Sequence, residues 1–193
     1  MARVFVRPLD MIREQNETRS RTVPPEVIKR MLYQWQTPIK SEGFDVIMLD
    51  TVLYDWDIYD MEQDTEYHTL SLFDHMKATV KEIETEEERL ITAAVAHDIG
   101  KYWTKSFTDS LGYPTLTAHY YNHENVGAYM SLLDCSEEYI NELALDVSGL
   151  ITWHMRPFVW DEHPNVKERD RKWMGDDFIR DLEILHKADM EAK

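Results

Sequence analysis

The chain has a single cysteine, Cys135, in 193 residues. One thiol can form no internal disulfide and no cysteine-based zinc or iron–sulfur site within the chain, and a reducing, intracellular setting is the simplest one for it. Glycine and proline are also scarce, at 6 and 7, which leaves little turn material for a β-sandwich or barrel and favours helices. Positive charge is in deficit: 21 Lys and Arg stand against 37 Asp and Glu, a formal net charge of −16. Such a chain repels polyanions at long range, which argues against an extended nucleic-acid surface or an anionic membrane as partner. A local basic pocket for one phosphate remains compatible with that charge. No apolar run approaches the ~20 residues of a membrane span, and the stretch from Met1 to Pro8 is too short in apolar residues for a signal peptide. A cytoplasmic protein is expected.

What is present is enough apolar material for a real core: 43% hydrophobic residues, with 6 Trp, 10 Tyr and 6 Phe. Composition changes near residue 60, so residues 1–60 read as an appendage and 61–193 as a mainly all-α domain. In the appendage, Arg3 to Arg7 read as a strand, and Arg13 to Arg21 form a basic polar stretch. Pro24-Pro25 open a helix through Val27, Ile28, Met31, Leu32 and Trp35, and Gly43 to Leu49 read as a second strand. From about residue 66 the pattern is helical throughout. A first helix carries His68, Leu72, His75, Met76 and Val80, and a capping-box pattern over Thr85 to Glu88 opens a second that runs through Ala94 to Asp98. A third spans roughly Asn122 to Leu133. A fourth starts near Ser136 and carries Ile140, Leu143, Val147, Leu150 and Ile151, and a last one starts near Asp176.

The chemistry sits at the ends of these stripes. His97-Asp98 follow the apolar run Ile91 to Ala96, and Asp189 lies one turn after Leu185 on a core-facing stripe. A buried carboxylate is costly without a cationic partner. His75, His97, Asp98 and Asp189 would satisfy one another through a divalent cation, with N and O ligands suited to Fe, Mn, Zn or Mg. A metal-free hydrogen-bonded network of the same groups is the other reading.

These residues, with Ala94-Val95-Ala96-His97-Asp98-Ile99-Gly100-Lys101 and Lys187-Ala188-Asp189 around them, resemble the H…HD…D signature of the HD superfamily of metal-dependent phosphohydrolases. The resemblance covers roughly residues 62–193. Its wording is most similar to the HD domain attached to bacterial tRNA nucleotidyltransferases, with counterparts for Tyr67-His68, His123-Glu124, Gly127 and His154-Met155-Arg156. It implies an HD-type helical bundle around one or two divalent ions (Fe, Mn, Zn, Mg or Ni), with a small strand and helix appendage. His75, His97, Asp98 and Asp189 would ligate the first metal. His123 and His154 would ligate a second bridged by Asp98, or bind substrate phosphate, or cap helix ends. Metal-activated hydroxide would attack phosphorus, with Lys101 and Arg156 steadying phosphate oxygens beside Asp98. Lys101 also reads as an ordinary helix-terminal cation. His68 reads as packing or as lining of the pocket mouth, His119, His163 and His186 as surface or packing. Trp153, Trp160 and Trp173 read as core and rim, with Trp153 and Trp160 close enough to His154 and Arg156 to shape a substrate pocket, and Cys135 is a bystander.

Arg13, Asn16, Arg19 and Arg21, then Val23-Pro24, Glu26-Val27-Ile28 and Pro38 to Asp45, resemble the C-terminal end of P-loop polynucleotide-kinase-like enzymes. No Gly-x-x-x-x-Gly-Lys-Ser/Thr occurs, so the chain itself is no kinase. The segment is either a scaffold or part of a split kinase whose front comes from another polypeptide. The expected function is hydrolysis of a phosphomonoester or phosphodiester in a nucleotide or at a nucleic-acid end, with a small phosphorylated substrate as partner. The alternative is a non-catalytic metal- or nucleotide-binding module docked on a kinase partner.

Overall fold

A computed structural model describes residues 2–44, 47–51, 59–133 and 141–192. The chain opens with β1 (Ala2–Phe5), α1 (Leu9–Glu17) and α2 (Pro25–Tyr33), then β2 (Ile47–Asp50), which pairs with β1 in parallel, Ala2 opposite Ile47 and Phe5 opposite Asp50. Pro25 sits in the first turn of α2, where its missing N–H costs nothing. Of the strand expected from Gly43 to Leu49, Gly43 and Phe44 are not extended partners of β1, and residues 45–46 fall outside the described residues. Gly43 instead closes a 3-10 turn at Lys40–Glu42 with φ of 89°, a conformation that favours glycine.

The helical part follows as α3 (Leu72–Glu82), α4 (Glu88–Ala96), α5 (Lys101–Thr104), α6 (His123–Ser131), α7 (Asn141–Trp153), α8 (Arg156–Glu162), α9 (Pro164–Met174) and α10 (Asp176–Glu191). Between α5 and α6 lies an antiparallel hairpin, β3 (Ser106–Thr108) with β4 (Pro114–His119). This hairpin corrects the uniformly helical reading. Its Thr- and aromatic-rich run prefers extended backbone, and Gly112, at φ of 88°, sits in its turn.

Two helix starts also differ from expectation. His68 lies outside α3, because Ser71 caps that helix: its Oγ accepts from the Asp74 N–H, and the Asp60 carboxylate accepts from the Phe73 N–H. The box over Thr85 to Glu88 does not form. Thr85 Oγ1 accepts from the Glu87 N–H two residues on, and α4 starts at Glu88. The expected helix start near Ser136, with Ile140 and Cys135, falls outside the described residues.

Leu90, Ala94, Val147, Leu150, Ile151, Leu182 and Leu185 form one buried cluster. A second joins Val4, Val6 and Leu32 of the N-terminal segment to Val126, Tyr129 and Met130 of α6. Tyr129 stitches the two parts: its hydroxyl accepts from the Arg7 N–H (3.1 Å) and donates to the Arg7 carbonyl (2.7 Å). Among the described residues no helix is long and apolar enough to cross a membrane.

Candidate metal centre

Five helices bring their ends to one point. His75 comes from the first turn of α3, His97 and Asp98 follow α4, His123 opens α6, His154 follows α7, and Asp189 lies in the last turn of α10. Gly100 makes the convergence physically feasible. A Cβ there would stand 1.9 Å from the His123 carbonyl oxygen and 2.6 Å from the Gly127 nitrogen, so only glycine lets the His97-Asp98 turn lie this close to α6.

A single local device orients three of the imidazoles. Nδ1 of His97, His123 and His154 each meets the carbonyl oxygen three residues earlier: Ala94 (3.0 Å), Tyr120 (2.9 Å) and Ile151 (2.8 Å). His75 does the same over a long range, with Nδ1 2.9 Å from the Ala192 carbonyl. A carbonyl only accepts, so each Nδ1 carries the hydrogen and each Nε2 presents a lone pair. The lone pairs point at carboxylates and at each other. His75 Nε2 lies 3.0 Å from Asp189 Oδ1 and 3.4 Å from Asp98 Oδ2, and His97 Nε2 3.6 Å and 3.5 Å from the same two atoms. His123 Nε2 is 3.2 Å from Asp98 Oδ1 and 3.2 Å from His154 Nε2.

Two sets of ligand atoms result, His75–His97–Asp189 and Asp98–His123–His154, each within 4.8 Å internally. Nε2 of His75 and of His97 are buried without a hydrogen-bond donor. Acceptors facing acceptors in a buried site are repulsive unless cations lie among them. The donor set therefore fits divalent metal with mixed nitrogen and oxygen ligands.

Lys101 is the protein's own cation here, only 5% exposed. Its ammonium meets three acceptors: Asp98 Oδ2 (2.6 Å), Gln63 Oε1 (2.9 Å) and His68 Nε2 (3.1 Å). Burial pushes the Asp98 carboxyl up, but the Lys101 charge and the surrounding imidazoles hold it well below the usual range. Asp189 is likewise held low, against burial, by His75 and His97. Burial lowers His75, yet the adjacent Asp189 and Asp98 carboxylates leave it raised. His68 is pushed down to about 4 by burial and by the neighbouring Lys101 charge.

Arg156 stands elsewhere in the hydrogen-bond map. Its Nε and Nη2 fork onto Asp170 at 2.6 and 3.2 Å, and Trp160 Nε1 adds a third donor at 2.9 Å. Burial raises Asp170, but these donors bring it below its ordinary 3.8. The stabilisation from a lowered carboxyl is present above the unfolded value and is lost as pH falls through the folded one. Asp170→Asn is thus expected to cost about 3 kcal/mol at pH 7 and to flatten the fall in stability below about pH 4. Thermal melts of both proteins from pH 7 to 2.5 check this.

Gln63 has no counterpart in the sequence reading. It is 1% exposed, its side-chain amide donates to the Leu70 carbonyl (3.2 Å), and its backbone carbonyl accepts from the Tyr120 hydroxyl. A lone glutamine in a polar loop has no periodicity to reveal it.

The family model described as HD domain matches residues 65–190. No curated protein and no solved structure matches the chain.

Proposed function

The chain belongs to the HD domain family, and from that premise we propose that it hydrolyses a phosphomonoester or phosphodiester of a nucleotide or of a nucleic-acid end. HD domains are in general metal-dependent hydrolases, and the observation that carries the reading is the convergence of four Nε2 atoms and two carboxylates, with Asp98 within 3.7 Å of all four imidazoles. His75, His97 and Asp189 would hold one ion, His123 and His154 a second, and Asp98 both. Such ions supply Lewis acidity toward phosphoryl oxygens and activation of water near neutral pH.

The chain's own residues do the rest. The four carbonyl-anchored imidazoles fix ligand direction. Lys101 neutralises part of the charge on Asp98 and holds its Oδ2, while His123 faces Oδ1. Delivering its ammonium to a phosphate would require giving up one of its three present acceptors. Arg156, anchored by Asp170 through two of its nitrogens, has one edge left for a phosphate oxygen. Residues 2–44 act as scaffold, since β1 and α2 share buried side chains with α6, the helix that opens on His123. The likeness to the tRNA nucleotidyltransferase HD domain and to polynucleotide-kinase-like segments supports a nucleotide or nucleic-acid end as substrate.

The test is turnover. Protein loaded with Mn²⁺, Fe²⁺ or Zn²⁺ is assayed on nucleoside monophosphates, 2′,3′-cyclic nucleotides, dinucleoside polyphosphates and 5′-phosphorylated oligonucleotides. Hydrolysis of at least one class is expected. Tight binding without hydrolysis under every metal would reverse the proposal in favour of a binding module.

A further inference from the structure

We propose that His68 is a substrate-contacting residue of this centre, donating its Nδ1–H to a phosphoryl oxygen at the mouth of the site. The inference rests on the phosphohydrolase reading above and gives His68 a contact that the family resemblance implied for Lys101.

The ring's protonation pattern follows from its neighbour. The Lys101 ammonium has only donors, and it lies 3.1 Å from His68 Nε2. That nitrogen must therefore accept, which leaves the single ring hydrogen on Nδ1. Nδ1 has no hydrogen-bond partner among the described residues, yet it is not among the buried unpaired atoms. It is therefore a donor that reaches solvent. Its position is set by the centre itself. The His68 ring meets that of His75 edge to face, centroids 4.9 Å apart, and it is two hydrogen bonds from Asp98 by way of Lys101.

Lys101 itself is buried and fully engaged. Its charge reaches the mouth through the imidazole: an ammonium donating to Nε2 polarises the ring and strengthens the opposite N–H. The ring stays neutral, so it transfers no proton, and its contribution is a fixed hydrogen bond to an anionic oxygen. Gln63 and the Tyr120 ring, whose centroid is 5.5 Å from Lys101 Nζ, hold the lysine in the position that makes this work.

The test uses inorganic phosphate as probe, titrated calorimetrically into the metal-loaded full chain, with metal per chain measured on the same samples. His68→Leu removes the donor and the acceptor; His68→Asn keeps a side-chain N–H. A hydrogen bond to a charged group is worth about ten- to a hundredfold in affinity. The expected result is that loss for His68→Leu, recovery to within a few-fold in His68→Asn, and wild-type metal content in both. With p-nitrophenyl phosphate as substrate the loss falls on KM at least as strongly as on kcat. Phosphate affinity within twofold of wild type in His68→Leu overturns the inference, as does a loss that merely follows loss of metal, or wild-type protein that binds no phosphate. The two readings separate cleanly. Turnover with unaltered phosphate affinity in His68→Leu removes the His68 contact and keeps the hydrolase. His68-dependent phosphate binding without any turnover removes the hydrolase and keeps the oxyanion site.

Discussion

Gly100→Ala is expected to abolish metal retention although residue 100 supplies no ligand atom. The added Cβ would meet the His123 carbonyl oxygen at 1.9 Å and the Gly127 nitrogen at 2.6 Å, and both are backbone atoms. No rotamer change relieves such a clash, so the turn that carries His97 and Asp98 must move away from α6. Overpacking of this kind costs about 3 kcal/mol or more, which in a chain of this size lowers the melting temperature by roughly 6–12 °C. Since His123 is displaced with its own carbonyl, the separation between Asp98 and His123 grows as well. Gly149→Ala is the matched control. Its Cβ would meet the Ile39 side chain at 3.1 Å and Phe178 at 3.6 Å, contacts that side chains can absorb, so a shift below about 1 kcal/mol is expected there. Thermal melts with elemental analysis decide it; a Gly100→Ala protein with wild-type melting and full metal would show that the close approach is not required.

The second large effect is that of Asp98→Asn, which should lose both metal and turnover. Asp98 is the one carboxylate that faces all four imidazoles, with Oδ2 3.4 and 3.5 Å from Nε2 of His75 and His97 and Oδ1 3.2 and 3.7 Å from Nε2 of His123 and His154. Asparagine of the same shape brings no charge, and its NH₂ group points a donor where ligand lone pairs are needed. It also leaves the buried Lys101 without its carboxylate. Breaking one side of a buried ion pair costs about 3–5 kcal/mol, so the metal-free variant should melt below metal-free wild type. The double variant Asp98→Asn with Lys101→Met removes the stranded charge. It is expected to regain most of the stability and none of the metal or activity, a split that a purely structural ion pair would not give. An Asp98→Asn protein that still holds metal and turns over substrate would contradict the ligand assignment.

The parts of this centre that were legible in the sequence are those where polarity breaks an apolar pattern. Asp189 interrupts the stripe of Leu182 and Leu185, and His97-Asp98 end the run from Ile91 to Ala96; in the fold both carboxylates lie within 3.6 Å of the His97 imidazole. The main helices were legible for the same reason, since α4, α6 and α10 carry apolar faces at helical spacing. What was not legible depends on partners distant in sequence. The run from Lys167 to Lys172 is charged at every position and carries no apolar pattern, yet Asp170 within it is 1% exposed and holds Arg156, Trp160 and Trp173. The three acceptors of Lys101 come from positions 63, 68 and 98, and only the last is near it in the chain. The β3–β4 hairpin was hidden by brevity, since three residues pairing with six give no sustained alternation.

The central claim is that one shared carboxylate organises two sets of metal ligands. Metal content per chain, by elemental analysis of protein purified without added metal or chelator, tests it most directly. Near two equivalents is the predicted result, falling to about one in His123→Ala. No metal at all, even after incubation with Mn²⁺ or Fe²⁺, would mean that the converging lone pairs are satisfied by protons alone and would contradict the account.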